Sequence, residues 1–314
     1  MKNGVLLIGE SMGLLMAQSE GPLDTATGYT LAVAGAELNV AIGLTRLEHP
    51  VSYVTKLGTD PFGKVVLHCL EQNHIDNDCV YYSKTNTTGF MLKSLVSQGD
   101  PEIFYYRKGS AASTLSPDDI DRIDFTCYRL FHMTGIFPAL SPTTLHASFY
   151  AMEKARQAGL TITFDPNLRP QLWESQDDMI KTLNQLASIS DYVFPGEGEG
   201  EILCKSRDPK VIADFYLNLG VKAVMVKVGS RGAYVADHQH QALIAGFPVK
   251  HVVDTVGAGD GFAAGAISGL LEGLSLEECA RRGNAIGALQ VMSRGDNTGL
   301  PTRERLQSFM EKGE

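Results

Sequence analysis

Apolar positions along this chain recur in two periods, and the alternation between them sets the expected architecture. Residues 5–9 form a short uninterrupted apolar run ending in glycine, the pattern of a strand covered on both faces. From 11 to 33 the run breaks into short alternating pieces punctuated by Gly and Pro, which predicts an antiparallel excursion. Gly35 then precedes a helical stretch with Val40, Leu44 and Leu47 on one face. Residues 51–57 read as a second strand, and 79–106 return to period two, as in Phe90-Met91-Leu92-Lys93 and Ile103-Phe104-Tyr105-Tyr106.

Beyond Lys108 strand and helix alternate. Residues 130–133, 161–165, 192–194, 223–228 and 233–236 read as strands, and stretches near 142–158, 177–187, 197–204, 210–219 and 275–292 read as helices. The order predicts an α/β protein with a doubly wound, mostly parallel sheet flanked by helices. Residues 1–10, 34–78 and 109–314 are expected to build that layer, with 11–33 and 79–108 inserted as a small antiparallel β lid. Ligands of such a sheet sit off the carboxyl ends of its strands.

Length and charge narrow the partners. A chain of 314 residues with 44% apolar and 20% charged content can bury a full core. Its net charge of −9 argues against nucleic acid or an acidic membrane surface, so an anionic ligand would need a local cationic patch. No stretch approaches the ~20 consecutive apolar residues that span a bilayer, and residues 1–20 lack the pattern of a secretory leader. The five cysteines are widely spaced and form no C-x-x-C pair, which fits a reducing cytoplasm rather than a disulfide or zinc framework.

The chemistry concentrates in Asp254-Thr255-Val256-Gly257-Ala258-Gly259-Asp260-Gly261-Phe262. Two glycines permit a tight turn and a small-residue helix follows, so the amides of 257–260 are expected at an open helix N-terminus, an anion hole suited to a phosphoryl group. Asp260 would accept the proton of an incoming hydroxyl, with a pKa depressed by the helix dipole. A second glycine-rich stretch, Gly58-Thr-Asp-Pro-Phe-Gly-Lys64-Val65, nearly matches a nucleotide P-loop, but Val65 stands where a hydroxyl is needed and Pro61 removes an amide. A helix capped by Asp60 accounts for it better.

Other strand ends carry polar residues. Asn167 and Arg169 follow 161–165; Lys227, Gly229, Ser230 and Gly232 form a loop that could run beside an adenine or ribose; Glu197, Glu199 and Glu201 head one helix, and Asn284 lies on a later one. Arg107 and Lys108 end a lid strand behind two tyrosines. With Arg169 they exceed what a neutral ligand requires, and arginine suits a carboxylate.

The 254–265 stretch resembles the signature of the ribokinase-type (PfkB) carbohydrate kinases, and Gly35-Ala36-Glu37-Leu38-Asn39 resembles the family's first motif, with Ala34 in its first Gly position. The resemblance implies a ribokinase-like fold, ATP and Mg²⁺, and a monovalent cation, K⁺, near Asp254, Thr255 and the loop 293–301. It implies Asp260 with Gly257, Ala258 and Gly259 as the catalytic group, and Asn167, Lys227, Gly229, Ser230, Gly232 and Asn284 with those amides around the nucleotide. Glu199 aligns with an acidic residue associated with Mg²⁺ and its waters. Residues 105–112, 132–136, 165–173 and 293–296 look like the 2-keto-3-deoxygluconate kinase branch, which implies that Gly35, Asn39, Phe90, Tyr105, Arg107, Arg169 and Asp260 contact a sugar acid. A homodimer clasped through the lid is also expected. A neutral-sugar or nucleoside kinase, and a non-catalytic sugar-binding protein, remain open alternatives.

Overall fold

β1 (Gly4–Ile8) is the apolar run that opens the chain, and Val5 to Ile8 are fully buried. Val5 and Leu7 join one core while Leu6 and Ile8 join another, because successive side chains leave opposite faces of a sheet that helices cover on both sides. The computed structural model describes residues 4–96 and 101–312; residues 1–3 and 313–314, and residues 97–100 of the expected lid, lie outside it.

The chain continues through β2 (Met12–Glu20), β3 (Tyr29–Ala34), α1 (Ala36–Arg46), β4 (Val51–Gly58), α2 (Pro61–Gln72), β5 (Val80–Ser83), β6 (Phe90–Leu95), β7 (Ile103–Tyr106) and a short α3 (Pro117–Ile120). It then alternates β8 (Tyr128–Thr134), α4 (Pro142–Gln157), β9 (Thr161–Asp165), α5 (Gln176–Ser188), β10 (Tyr192–Val193), α6 (Glu197–Leu203), α7 (Pro209–Asn218) and β11 (Ala223–Lys227). β12 (Gly232–Asp237), β13 (Gln241–Ala245), α8 (Ala258–Glu272), α9 (Leu276–Val291) and α10 (Arg303–Lys312) complete it.

Among the described residues the main sheet has the order β13-β12-β11-β10-β9-β8-β1-β4-β5, parallel from β11 to β5 with an antiparallel edge of β12 and β13. The chain runs outward from β1 to β5, then returns to β8 and winds the other way, leaving a crevice beyond the ends of β1 and β8. α8 packs tightly on α9: a Cβ on Gly265 would lie 2.7 Å from the Gly283 Cα, so the small residues serve helix-on-helix contact. Three elements escaped the sequence pattern, the four-residue α3 among them. β13 is an edge strand with an alternately exposed face, and α10 buries only Leu306 and Phe309.

The boundary of the lid needs correcting. β5, expected within it, pairs in parallel with β4 from Thr55↔Val80 to Gly58↔Ser83 and lies at the edge of the main sheet. The lid sheet itself has the order β3-β2-β6-β7, two antiparallel hairpins joined by a parallel pairing of β2 with β6. Its register sorts the side chains. Leu31, Leu15, Leu92 and Phe104 form one row across the sheet, facing away from the main layer together with Phe90 and Tyr106; Met91 and Tyr105 face inward with Met12 and Leu14. The near-match to a P-loop is a capped helix start, with Asp60 accepting from the Gly63 amide at 3.1 Å and Pro61 in the first turn.

Candidate active site

Gly257 caps α8 in a left-handed conformation, φ 79°, and a Cβ there would lie 2.1 Å from the carbonyl oxygen of Asp296. Only glycine can make this turn without displacing that loop. The Gly261 amide donates to the Gly257 carbonyl at 2.8 Å and the Ala258 amide to that of Thr255 at 3.4 Å, while the amides of Gly257, Gly259 and Asp260 have no partner among the described residues. Of the amides expected at the open helix end, only that of Ala258 is engaged, and weakly, which leaves Gly257, Gly259 and Asp260 as donors for an anion.

Asp260 lies in the first turn of α8, where its carboxylate accepts from Asn39 Nδ2 at 2.8 Å and, more weakly, from Asn167 Nδ2 at 3.5 Å. Its pKa is not depressed as the helix dipole suggested. Burial pushes it up to about 6, against the pull of the Asn39 amide and of the Arg169 and Lys227 charges. The correction has a plain cause: loss of water around the carboxylate outweighs the helix end. Asn39 Oδ1 accepts from Asn297 at 3.1 Å, and of its two amide hydrogens one is spent on Asp260, so it steadies that carboxylate and keeps a second donor.

A cavity of about 650 Å³ opens in front of Asp260, bounded by strand ends below and the inner face of the lid above. Gly35, Asn39, Tyr105, Arg107, Asn167 and Arg169 all line it. Gly35 lets the chain pass close, a Cβ there falling 2.7 Å from the Glu10 carbonyl. Phe90 is not at this wall. The lid register turns it outward into a stack with Phe62 and Tyr106, at 4.9 and 4.7 Å between ring centres, and Met91 lines the cavity in its place. The exposed Lys108 is also outside it.

The two arginines differ. Arg107 is buried and ion-paired with Glu10, its Nε donating at 2.7 Å, with its guanidinium over the Tyr105 ring. Arg169 donates to the Leu168 carbonyl at 2.7 Å and has no carboxylate partner among the described residues. The cationic excess expected from three side chains thus rests on Arg169, helped by what remains of the Arg107 donors.

Two acids that the sequence pattern did not single out stand beside them. Glu10 lies in the connection between β1 and β2, and Glu37 lies in the first turn of α1. Burial raises Glu37 to about 7; one oxygen accepts from the Thr134 hydroxyl at 2.6 Å and the other has no partner. A carboxylate at the start of an otherwise apolar helix was the available signal for Glu37.

A second cavity, about 700 Å³, adjoins the first and shares Lys227, Thr255 and Gly259 with it. Gly229, Ser230, Gly232, Ala258 and Asn284 line it, with Phe247, Pro248, Val249 and Ala288 as an apolar wall suited to a flat base. Asn284 uses its amide hydrogens on the Ile244 and Ala245 carbonyls at 3.0 and 3.2 Å, holding β13 against α9. Lys227 Nζ meets Asp165 Oδ2 at 2.6 Å; burial disfavours the ammonium, but the Asp165 and Glu199 carboxylates outweigh that and hold its pKa above the ordinary lysine value.

Glu199 lines the first cavity with each oxygen anchored, Oε1 by the Leu168 amide at 2.9 Å and Oε2 by that of Gly196 at 2.7 Å. Each oxygen keeps a lone pair for a metal-bound water, so the residue fits an outer-sphere role at a Mg²⁺–phosphate complex. Glu197 and Glu201 instead pair with Arg231 and Arg207 on the surface. Thr255 lies where the cavities meet, and Asp254 points beneath the turn toward Lys93 of β6, which reaches Asp254 Oδ2 at 2.7 Å and Asp296 Oδ1 at 3.1 Å.

Comparison with known proteins agrees with this geometry. The profile of the pfkB family carbohydrate kinases matches residues 2–303. The chain is 46% identical over 311 residues to a 2-dehydro-3-deoxygluconokinase of Bacillus subtilis, covering 99% of this chain and 96% of that protein. A PfkB protein from Polaromonas sp. JS666 superposes with a TM-score of 0.89 at 43% identity, covering 98% and 99% of the two chains. A putative ribokinase II of E. coli, solved with ATP and Mg²⁺, does so with a TM-score of 0.90 at 27% identity over 99% of each.

Proposed function

The chain belongs to the pfkB family of carbohydrate kinases, and from that premise we propose that it phosphorylates 2-keto-3-deoxy-D-gluconate on its terminal hydroxyl, giving the 6-phosphate and ADP. The observation that carries the reading is the guanidinium of Arg169, which has no carboxylate partner among the described residues, in the cavity that Asp260 faces. A half-buried arginine in a cavity, without a carboxylate partner among the described residues, suits an anionic ligand, and a sugar acid brings one.

In this reading the sugar acid lies between the lid and the strand ends, its carboxylate toward Arg169 and the outer Arg107 donors, its terminal hydroxyl at Asp260. A carboxylate with pKa about 6 is largely ionised at neutral pH and is a stronger base than an ordinary aspartate, so it takes the hydroxyl proton as the O–P bond forms. The bond from the γ-phosphorus to the β,γ-bridging oxygen breaks, and ADP leaves along the second cavity. The free amides of Gly259 and Asp260, with Lys227, hold the transferring oxygens. Glu199 would hold a phosphate-bound Mg²⁺ through water, and the ion would supply further charge neutralisation.

The lid supports a homodimer as well. Its outer face leaves Leu31, Phe104 and Tyr106 48%, 51% and 54% exposed, an apolar row suited to a second lid. Light scattering should give twice the chain mass, and Phe104→Glu should halve it. Five unpaired cysteines suit a reducing compartment such as the cytoplasm. Among the described residues no helix is long and apolar enough to cross a membrane.

A neutral-sugar kinase is the competing reading, favoured by the pairing of Arg107 with Glu10. ADP release measured over 2-keto-3-deoxygluconate, its galactonate epimer, fructose, ribose and a nucleoside separates the two. The sugar acids should have the highest kcat/KM, and Arg169→Ala should raise their KM about 10- to 100-fold, the worth of a charge-assisted contact. Phosphorylation of fructose with none of the sugar acids would overturn the reading, and no turnover at all would favour a binding protein.

A further inference from the structure

Two acidic side chains from distant parts of the chain meet beneath the turn that carries Asp260. Asp254 lies in the segment leading into α8, and Asp296 in the loop after α9, where its carbonyl abuts Gly257. Left facing each other under a packed lid, the two carboxylates would repel and push that loop off the turn. Lys93 comes between them from β6, only 4% exposed, on the inward face that also presents Met91 to the sugar cavity. Burial disfavours the ammonium, but the Asp296 and Asp254 carboxylates outweigh this and hold its pKa above the ordinary lysine value.

The neighbouring oxygens are met by protein donors too. Gln290 Nε2 donates to the carbonyls of Val256 at 3.3 Å and Gly295 at 2.6 Å, and its Oε1 accepts from the Gly299 amide at 3.1 Å. The Gly295 amide reaches Asp254 at 3.4 Å, and Arg46 binds the Asn297 and Leu300 carbonyls at 2.9 and 2.8 Å. These are the oxygens that a K⁺ ion, implied here by the resemblance to ribokinase-type kinases, would have to gather. With both carboxylates on an ammonium, the negative charge that would draw an added cation is already neutralised, and the carbonyls named already accept from Gln290 or Arg46, so the residues present do not favour one.

We propose that Lys93 is a positioning residue whose ammonium takes the part of a bound monovalent cation, fastening the 293–301 loop to the Asp254 segment so that the Gly257 turn and Asp260 keep their geometry. The fastening comes from a lid strand, so seating of the lid and order in the anion hole are one event. The proposal rests on the kinase reading, but not on which sugar is the substrate.

The test replaces Na⁺ and K⁺ by tetramethylammonium at fixed ionic strength, then adds K⁺ or NH₄⁺ back while kcat and thermal midpoint are recorded with whichever sugar is turned over. The native enzyme should change less than twofold in kcat, with no shift in midpoint. Lys93→Ala opens a cation-sized space between two carboxylates. Its kcat should fall about 100-fold, the cost of displacing a reacting group by about 1 Å, then recover to within about tenfold on adding K⁺ or NH₄⁺, with a rise in midpoint from linked binding. Lys93→Met fills the space without the charge and should stay slow in every salt.

A native enzyme activated several-fold by K⁺, or a Lys93→Ala protein fully active without it, would overturn the proposal. The native arm needs no variant and the melting arm no turnover, so an inactive protein would sink the kinase reading while the melts still decide this one.

Discussion

Replacing Asn39 by Ala probes the base through its pKa rather than through loss of activity alone. In the native protein Asn39 Nδ2 donates to Asp260 at 2.8 Å and is the strongest influence holding its pKa down against burial, leaving it at about 6. A hydrogen bond to a charged acceptor is worth about 1.5–3 kcal/mol, and one pKa unit corresponds to about 1.36 kcal/mol. Water entering the open cleft replaces part of the lost bond, so the low end applies and Asp260 should rise by about one unit, to about 7.

The sign follows from the role of the group. A base must be ionised to act, so its rate is lost as pH falls through its folded pKa, and raising that pKa moves the loss upward. At pH 6.5 the ionised fraction should drop about threefold, whereas at pH 8.5 native and variant should nearly coincide. The assay is ADP release with saturating Mg²⁺ at low sugar concentration, because kcat/KM reports the free enzyme's ionisations. Asn39→Ala also strands the Asn297 amide, which lowers stability at every pH and is read separately by thermal melting. An acidic limb that stays put, or moves downward, would refute the assignment of Asp260 as the titrating base.

Three further outcomes follow from the same geometry. Asp260→Asn keeps the shape and the contact with Asn39 but cannot take a proton, so kcat should fall about 10²- to 10⁴-fold with little change in sugar KM; steady-state kinetics retaining a tenth of native activity would reject general-base catalysis. Gly257→Ala meets both a positive φ and the Asp296 carbonyl, so urea unfolding should show a loss of at least about 1–3 kcal/mol, with a fall in kcat. Phe90→Leu removes an outward stack and should cost about 1 kcal/mol of stability while leaving sugar KM within about twofold, whereas Met91→Ala should raise that KM; the reverse order would show that the lid register is misread.

Much of this protein was legible from one dimension. Period-two and period-3.6 patterns are local, so β1, β4, β8, β9 and β11 and the helices between them could be read directly, and the order of elements then implied a doubly wound layer. The Gly257–Asp260 turn stood out less by its glycine pair, which an ordinary loop before a helix shares, than by the flanking aspartates and the small-residue helix that follows. Elements lacking a strong apolar stripe, β13 and α10, were silent for the same reason. β5 carries the alternation of a lid strand, and only its pairing with β4 assigns it to the main sheet.

Which residues could do the chemistry was legible in their identities: a carboxylate beside glycine-freed amides, arginines near a lid strand, and a glycine loop suited to a nucleotide. The tertiary structure alone decided what each does. Register turns Phe90 out and Met91 in, Glu10 engages Arg107 and leaves Arg169 without a carboxylate partner, Lys93 is set between two aspartates more than a hundred residues away, and burial raises the pKa of Asp260 where its helix position predicted a fall. Charge and hydrogen-bonding capacity belong to a residue and can be read from its letter, whereas partners and solvent exposure are created when distant segments pack and water is expelled.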